Sequence, residues 1–330
     1  MASNVTLTPP ILFADGQAVQ GHSYVFAAMA IQELLVERLD AISSGLVMSM
    51  GNLSGSGSDV LRDLAFTGLG WAQSFTALSG ETDPIPDSGW TVYEDEVTIG
   101  RYGLGGSASF TANILNRAGV PDIGMAAQMV PQSLLKTIRA AVCTEAASFA
   151  TAVGTTGVMW SVDKELALLA KFRETPGMST ATGRILTIRK PRQYTQLINS
   201  MRSEPMWSGR AERLEIALDQ GMRTGGAFDG LGVMANFASD DVTTSGSDYV
   251  GGAWLEGAIR MATASPASLV PLLSGVGAVY PDLGLIVTFS SNGNNATVRY
   301  DANAWFGVDK AVAARYPQYK ILSSNTDPHA

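Results

Sequence analysis

The sequence predicts an α+β fold: an extended N-terminal arm, a β-ribbon, one long helix, and a mixed α/β remainder. Three observations predict it. Residues 90–101 (WTVYEDEVTIGR) are β-rich and alternate in polarity. Residues 131–153 carry Leu134, Leu135, Ile138, Val142, Ala146 and Phe149 at helical spacing. The sequence beyond that helix switches repeatedly between short helical and short strand-like patterns, without an internal repeat.

Each element has a local reason. Residues 1–20 hold Pro9-Pro10 and no clean periodicity, which reads as an extended arm. Over 23–42, Val25, Met29, Leu34, Leu35, Leu39 and Ile42 form one helical stripe, ended by Ser43-Ser44-Gly45. Residues 51–58 have a Gly/Ser linker composition, and 59–66 read as a short helix. The turn-rich stretch 82–89 opens the β-rich run at 90–101. Gly103-Leu104-Gly105-Gly106 is read as a break before a second extended run at 107–111, giving a two-stranded excursion with a glycine tip. An isolated ribbon is marginal in water, so this one is expected to lie on another surface. Pro131 is placed in the first turn of the long helix and Gly154 at its end, a rod of roughly 33 Å. Cys143 falls inside that helix and reads as a small buried apolar residue.

Further on, helices are predicted at 164–172, 191–201 and 212–221, and strands at 184–188 and 231–237. Residues 249–262 read as a strand turning into an apolar segment. Strands at 283–290 and 295–303 flank the turn Ser291-Asn292-Gly293-Asn294, and residues 306–323 hold a short helix and a closing strand at 319–322.

Composition narrows the function. Charged residues are 16% of the 330-residue chain, against roughly 25% typically, and there are 35 glycines. An apolar fraction of 46% supports a real core and argues against disorder. Low charge with many glycines suggests that much of the surface is covered by something other than water. With one cysteine and two histidines, His22 and His329, disulfides, Cys/His metal centres and histidine-based triads lack their parts. The glycine-rich stretches lack the Gly-Lys-Ser/Thr ending of a phosphate loop, and no Gly-x-Ser-x-Gly elbow stands between a strand and a helix. No catalytic, cofactor-binding or metal-ligating residue is therefore assigned. No apolar run is long enough to cross a bilayer, and Met-Ala-Ser-Asn-Val-Thr lacks the marks of a signal peptide, so cytoplasmic synthesis without a membrane partner is expected.

Charge is unevenly placed. Residues 1–135 hold four basic residues (Arg38, Arg62, Arg101, Arg117) and thirteen acidic ones, net −9, and the first lysine is Lys136. The rest of the chain is net +1, and its densest basic stretch is 184–223. An acidic, lysine-free front half is a poor ligand for nucleic acid. Alternation along the ribbon puts Glu94 and Glu96 on one face and Asp95 on the other. That pair serves either as a charged edge that blocks sheet aggregation or as a docking face for arginines of another subunit. The candidates for contact between subunits are Glu94, Asp95, Glu96, Arg101, Arg139, Arg184, Arg189 and Arg192.

Several stretches carry a resemblance. Val97-Thr98-Ile99-Gly100-Arg101-Tyr102 leads from the ribbon into the long helix. Gly183-Arg184-Ile185-Leu186-Thr187-Ile188-Arg189-Lys190-Pro191 is followed by Tyr194 and Leu197. Phe228-Asp229-Gly230-Leu231-Gly232-Val233-Met234-Ala235-Asn236 precedes Gly257-Ala258-Ile259, and Phe306-Gly307-Val308 precedes the last strand. In this order, across most of residues 60–322, they resemble the major capsid protein of tailed double-stranded DNA bacteriophages, the Hong Kong ninety-seven type of coat-protein fold. The resemblance implies an N-terminal arm (1–60), an extended β-ribbon loop (80–117), a peripheral domain with the spine helix (118–155 and 240–304) and an axial domain (156–239 and 305–330).

The resemblance further implies a self-assembling shell of hexamers and pentamers around DNA that is held without sequence-specific binding. The chain would be made in the host cytoplasm and end in the virion, with a portal, a separate scaffolding protein and a decoration protein as partners. Scaffolding is assigned to a separate protein because the arm is shorter than the cleaved scaffolding region of some members. Other members cross-link through a lysine on the extended loop, and the absence of lysine before Lys136 removes that route. An encapsulin-type nanocompartment shell shares this fold, and an unrelated α/β enzyme or binding protein is the reading of another class. Few surface charges and large charge-depleted contacts are what a shell subunit requires.

Overall fold

The computed structural model describes residues 11–14, 17–18, 48–52, 60–65, 93–109, 122–175, 185–204, 234–272, 276–292, 297–313 and 316–325. In chain order the elements are β1 (Ile11–Ala14), β2 (Gln17–Ala18), β3 (Met48–Asn52), β4 (Val60–Ala65), β5 (Tyr93–Thr98), β6 (Gly100–Ser109), α1 (Asp122–Ala147), β7 (Thr151–Val153), α2 (Val162–Glu174), β8 (Ile185–Arg189), α3 (Pro191–Ser203), β9 (Met234–Ala238), β10 (Thr243–Ser245), β11 (Asp248–Leu255), β12 (Ile259–Thr263), the 3₁₀ turn η1 (Pro266–Leu272), β13 (Val276–Tyr280), the turn η2 (Pro281–Leu283), β14 (Leu285–Asn292), β15 (Thr297–Lys310) and β16 (Gln318–Ser324). The mixed α+β class is as predicted. The helices expected at 23–42 and 212–221 lie outside the described residues.

The long helix forms because its apolar stripe has somewhere to go: Leu134, Leu135, Ile138, Val142, Ala146 and, just past its end, Phe149 are all buried. It is longer at the front than predicted. Pro131 sits inside it rather than in its first turn, and the 26 residues span roughly 39 Å. Proline removes one backbone hydrogen bond, and the burial of the following stripe outweighs that loss. The helix also stops earlier, because residues 151–153 pair with β16 as the parallel strand β7.

The chain divides into two compact units. The first comprises residues 1–61, 97–142 and 260–309, and the second 62–96, 143–259 and 310–330.

In the first unit an eight-stranded sheet runs β2-β1-β13-β14-β15-β12-β3, with β6 also paired to β15. β14 and β15 form an antiparallel ladder from Leu285↔Ala304 to Asn292↔Thr297. β6 joins β15 from Gly100↔Phe306 to Ser109↔Thr297. The expected break at Gly103–Gly106 is therefore corrected: these glycines lie within a strand. At Gly105 and Gly106 the neighbouring side chains take the space a Cβ would need. A Cβ at Gly105 would lie 2.7 Å from Asp301 Oδ1, and one at Gly106 2.5 Å from the Tyr300 ring. Side chains alternate across the sheet. Ala278, Tyr280, Leu285, Val287, Tyr300, Ala302, Ala304 and Phe306 pack on one face with Val130, Leu134, Leu135 and Ile138 of α1. On the opposite face, Val279 and Ile286 meet Val270 of η1, with Ile11 and Trp305 alongside.

The second unit contains a six-stranded sheet, β7-β16-β11-β8-β9 with β10 on β11. β11 was grouped from sequence with residues 240–304, but it pairs with β8 and β16 in this unit. Helices α2 and α3 bury Leu168, Leu169, Phe172, Tyr194, Leu197, Ile198 and Met201 against Ile185, Ala253 and Ile321. Pro191 opens α3, where its missing N–H costs nothing, and the Gln193 side chain accepts from Lys190 N at 2.9 Å. The 59–66 segment, expected as a short helix, is instead β4, paired with β5 in a two-stranded ribbon. Pairing overrides its weak local preference. The short helix expected within 306–323 is not found among the described residues, where β15 continues to Lys310 and β16 begins at Gln318.

Gly252 marks a close approach within the second unit, where an added Cβ would lie 2.6 Å from Ala146 Cβ and 3.1 Å from the Phe149 ring. Gly252→Ala is expected to destabilise the protein by about 1–3 kcal/mol through overpacking. Chemical denaturation checks this, and an unchanged midpoint would contradict it.

Candidate functional site

The ribbon places the acidic residues as alternation requires. Glu94 and Glu96 are exposed on one face of β5, and Asp95 is buried on the other, accepting a hydrogen bond from Val312 N at 2.7 Å. Arg62 on β4 reaches both exposed carboxylates, at 3.4 Å from Glu94 and 3.0 Å from Glu96. This cross-strand cation was missed from sequence because 59–66 was read as a helix. In a strand, Arg62 is a cross-strand neighbour of the two carboxylates.

The arginines separate into inner and outer groups. Arg101 is exposed on β6, where its Nη2 and Nε donate to Asn303 Oδ1 at 2.9 and 3.3 Å and its guanidinium lies 5.8 Å from the Trp305 ring centre. Arg139 is half-buried on α1. Arg192 is exposed and donates to the Asn325 carbonyl at 3.2 Å. Arg184 lies outside the described residues.

Arg189 is different. Its side chain is fully buried, so its role is internal, not at an outer boundary as the sequence suggested. Arg189 Nη2 bonds to both Glu165 oxygens, at 2.9 and 2.8 Å, and Trp160 Nε1 donates to Glu165 Oε2 at 2.7 Å. The guanidinium lies 5.1 Å from the Trp160 ring centre and 5.3 Å from that of Tyr194. Arg189 Nε and Nη1 have no hydrogen-bond acceptor, and the two aromatic faces are what surrounds the cation. Burial pulls the Arg189 pKa down, but the charges of Glu165 and of the Tyr194 phenol, with the Glu165 hydrogen bond, outweigh it, so the net direction is up. Burial pushes the Tyr194 phenol up to about 12, with the Arg189 charge and the Thr187 hydroxyl pulling the other way. Glu165 falls in the helix expected at 164–172, but nothing in the sequence pairs it with Arg189 of β8.

Two exposed apolar features were also missed. Val158 and Met159 project from the loop before α2, and Lys164 Nζ donates to both their carbonyls, at 3.2 and 2.7 Å. Leu272, at the end of η1, is 81% exposed. It borders an open groove of about 760 Å³ floored by β6, β14 and β15. The apolar run around Pro271 was the available signal, but a run that short reads equally as core.

Among the described residues, no three His, Cys, Asp or Glu side chains converge on a metal position, and no helix is long and apolar enough to cross a membrane. What the described residues offer is a charged ribbon face, a groove with an arginine, and a buried ion pair that ties α2 to β8.

Two outcomes follow from the buried pair. Glu165→Ala leaves Arg189 charged and buried, and is expected to cost about 3–5 kcal/mol by denaturation; a loss below about 1 kcal/mol would show that the pair behaves as an exposed one. Tyr194 is neutral when folded up to about pH 12, whereas an unfolded phenol ionises near its ordinary 10.0. The unfolded state therefore releases the proton first, and stability falls as pH rises from about 10 to about 12. Tyr194→Phe should flatten that alkaline slope, and an unchanged slope would contradict the assignment.

No protein-family model and no curated protein sequence matches the chain. Solved structures do. The capsid of Ralstonia phage GP4 aligns over 86% of this chain and 88% of its own, with TM-score 0.54 and 12% identity. The mature capsid of bacteriophage PhiM1 aligns over 84% and 86%, with TM-score 0.54 and 8% identity. A structure from Mycobacterium phage Cain aligns over 87% and 90%, with TM-score 0.54 and 12% identity. At such identities the likeness is one of fold, and this chain has the fold seen in phage capsid structures.

Proposed function

We propose that this chain is the major capsid protein of a tailed bacteriophage, forming hexamers and pentamers of an icosahedral shell around double-stranded DNA. The carrying observation is that the likeness to capsid structures extends over 84% to 86% of this chain and 86% to 88% of theirs. It takes in both units, so it is not the sharing of one common motif. In this reading α1 is the spine helix, the first unit corresponds to the peripheral domain and the second to the axial domain. The role is structural, which accords with the poverty of His and Cys.

The charge pattern supports the same reading. A subunit that buries its flanks against copies of itself gains from few surface charges. A net charge of −8 does not oppose packaging, because retention inside a closed shell does not require affinity for phosphate. Glu94, Glu96, Arg101, Arg139 and Arg192 are the described side chains we assign to contacts between subunits. A portal, a scaffolding protein and a decoration protein complete the assembly, which is held by noncovalent contacts since no lysine precedes Lys136. Phage capsids among the structural relatives favour this over a nanocompartment shell.

Negative-stain microscopy of the purified protein tests the proposal. Closed shells tens of nanometres across are expected. A monodisperse monomer under all assembly conditions would contradict it.

A further inference from the structure

The core of the second unit holds a hydrogen-bond donor and an acceptor on neighbouring side chains that do not bond each other. Trp254 on β11 and Gln318 on β16 are direct partners in the antiparallel ladder. Such partners project to the same face of the sheet, with Cβ atoms about 4.5–5.5 Å apart. Both side chains are buried, at 0% and 8% exposure. The indole Nε1 of Trp254 can only donate, and the amide Oε1 of Gln318 can only accept. Both atoms are buried, and neither has a hydrogen-bond partner among the described residues.

The remaining contacts fix both groups where they are. Gln318 Nε2 donates to the Ala311 carbonyl at 3.0 Å. Turning the amide over would set two oxygens against each other at Ala311, so Oε1 is the free atom. The Trp254 ring lies edge-on to Phe149, with ring centres 6.0 Å apart. Arg189 Nε and Nη1 are also without acceptors, but two aromatic rings flank that cation. Trp254 and Gln318 instead present one donor and one acceptor side by side. A buried polar group without a partner is costly, and a molecule that both accepts and donates satisfies these two at once. Water is the smallest molecule that does so, and buried waters typically make about two to four such bonds.

We propose that one buried water molecule bridges β11 and β16, accepting from Trp254 Nε1 and donating to Gln318 Oε1. By holding Oε1 the water also holds Nε2 on the Ala311 carbonyl. Ala311 N donates to the Ala258 carbonyl at 2.7 Å, and Val312 N donates to Asp95 Oδ1 at 2.7 Å. The bridge thus steadies the short segment to which Asp95 anchors the ribbon strand β5. It belongs to the folded chain by itself and does not depend on the shell reading.

A density map of the full chain that resolves ordered water tests this without any substitution. A peak is expected about 2.7–3.2 Å from both Trp254 Nε1 and Gln318 Oε1. A direct bond between the two side chains, another side chain between them, or no density there overturns the proposal. Solution measurements add a second readout. The difference in ultraviolet resonance Raman spectrum between the protein and Trp254→Phe isolates the Trp254 indole. Its N–H band is expected at the position of a hydrogen-bonded indole, and the position of a free indole overturns the bridge. In a Trp254→Phe protein that still melts cooperatively, the Val312 amide is expected to exchange with deuterium several-fold faster. Unchanged exchange there overturns the steadying of the Asp95 anchor.

Discussion

The first unit depends on one packing relationship: the apolar stripe of α1 fills one face of the β13–β14–β15 layer. Val130, Leu134, Leu135 and Ile138 share one buried cluster with Leu285, Val287, Ala302, Ala304 and Phe306. Burial of side chains of this size contributes roughly 1.5–3 kcal/mol each. The small residues at 302 and 304 let a bulky helix come close to the strands. Once that face is taken, alternation commits the other side chains of β6, β14 and β15 to the far side. The mixture there of Arg101, Arg299, Asp301, Thr288 and exposed leucines is a consequence of filling the first face.

The second unit is held differently. Its two helices also bury an apolar face, but a charged pair lies inside it. Glu165 and Arg189 tie α2 to β8, and the Trp160 indole draws the loop before α2 onto the same carboxylate. A buried pair of this kind adds little net stability over apolar packing, yet breaking it is costly. Its effect is to fix one arrangement of helix, strand and loop. The Lys164 bonds to Val158 and Met159 extend the same constraint to the exposed loop tip. One unit thus relies on layered apolar packing and the other adds a polar lock.

Long periodic elements were legible in the sequence. The stripe from Leu134 to Phe149 and the face-sharing of Glu94 and Glu96 follow from spacing, and the helix opened by Pro191 and the strand expected at 184–188 from local residue types. What was not legible depends on distant partners. Gly103–Gly106 reads as a break because glycine is a poor strand former, and only the bulk of Tyr300 and Asp301 across the ladder explains it. Residues 59–66 lack a decisive period, and pairing with β5 decides their state. Pro131 was read as a helix start because proline favours first turns, whereas the burial that follows it carries the helix straight through. Among the candidate contact residues, exposure separated Arg101 and Arg192 from Arg189, and exposure at single positions cannot be read from a strand pattern buried on both faces.

Low charge and abundant glycine find a physical place in this arrangement. Gly105 and Gly106 of β6 allow close contact with β15. The most direct measurement is a side-chain-resolution electron cryomicroscopy reconstruction of assembled particles. The prediction is a closed icosahedral shell built from copies of this chain. A non-icosahedral assembly would contradict the capsid reading.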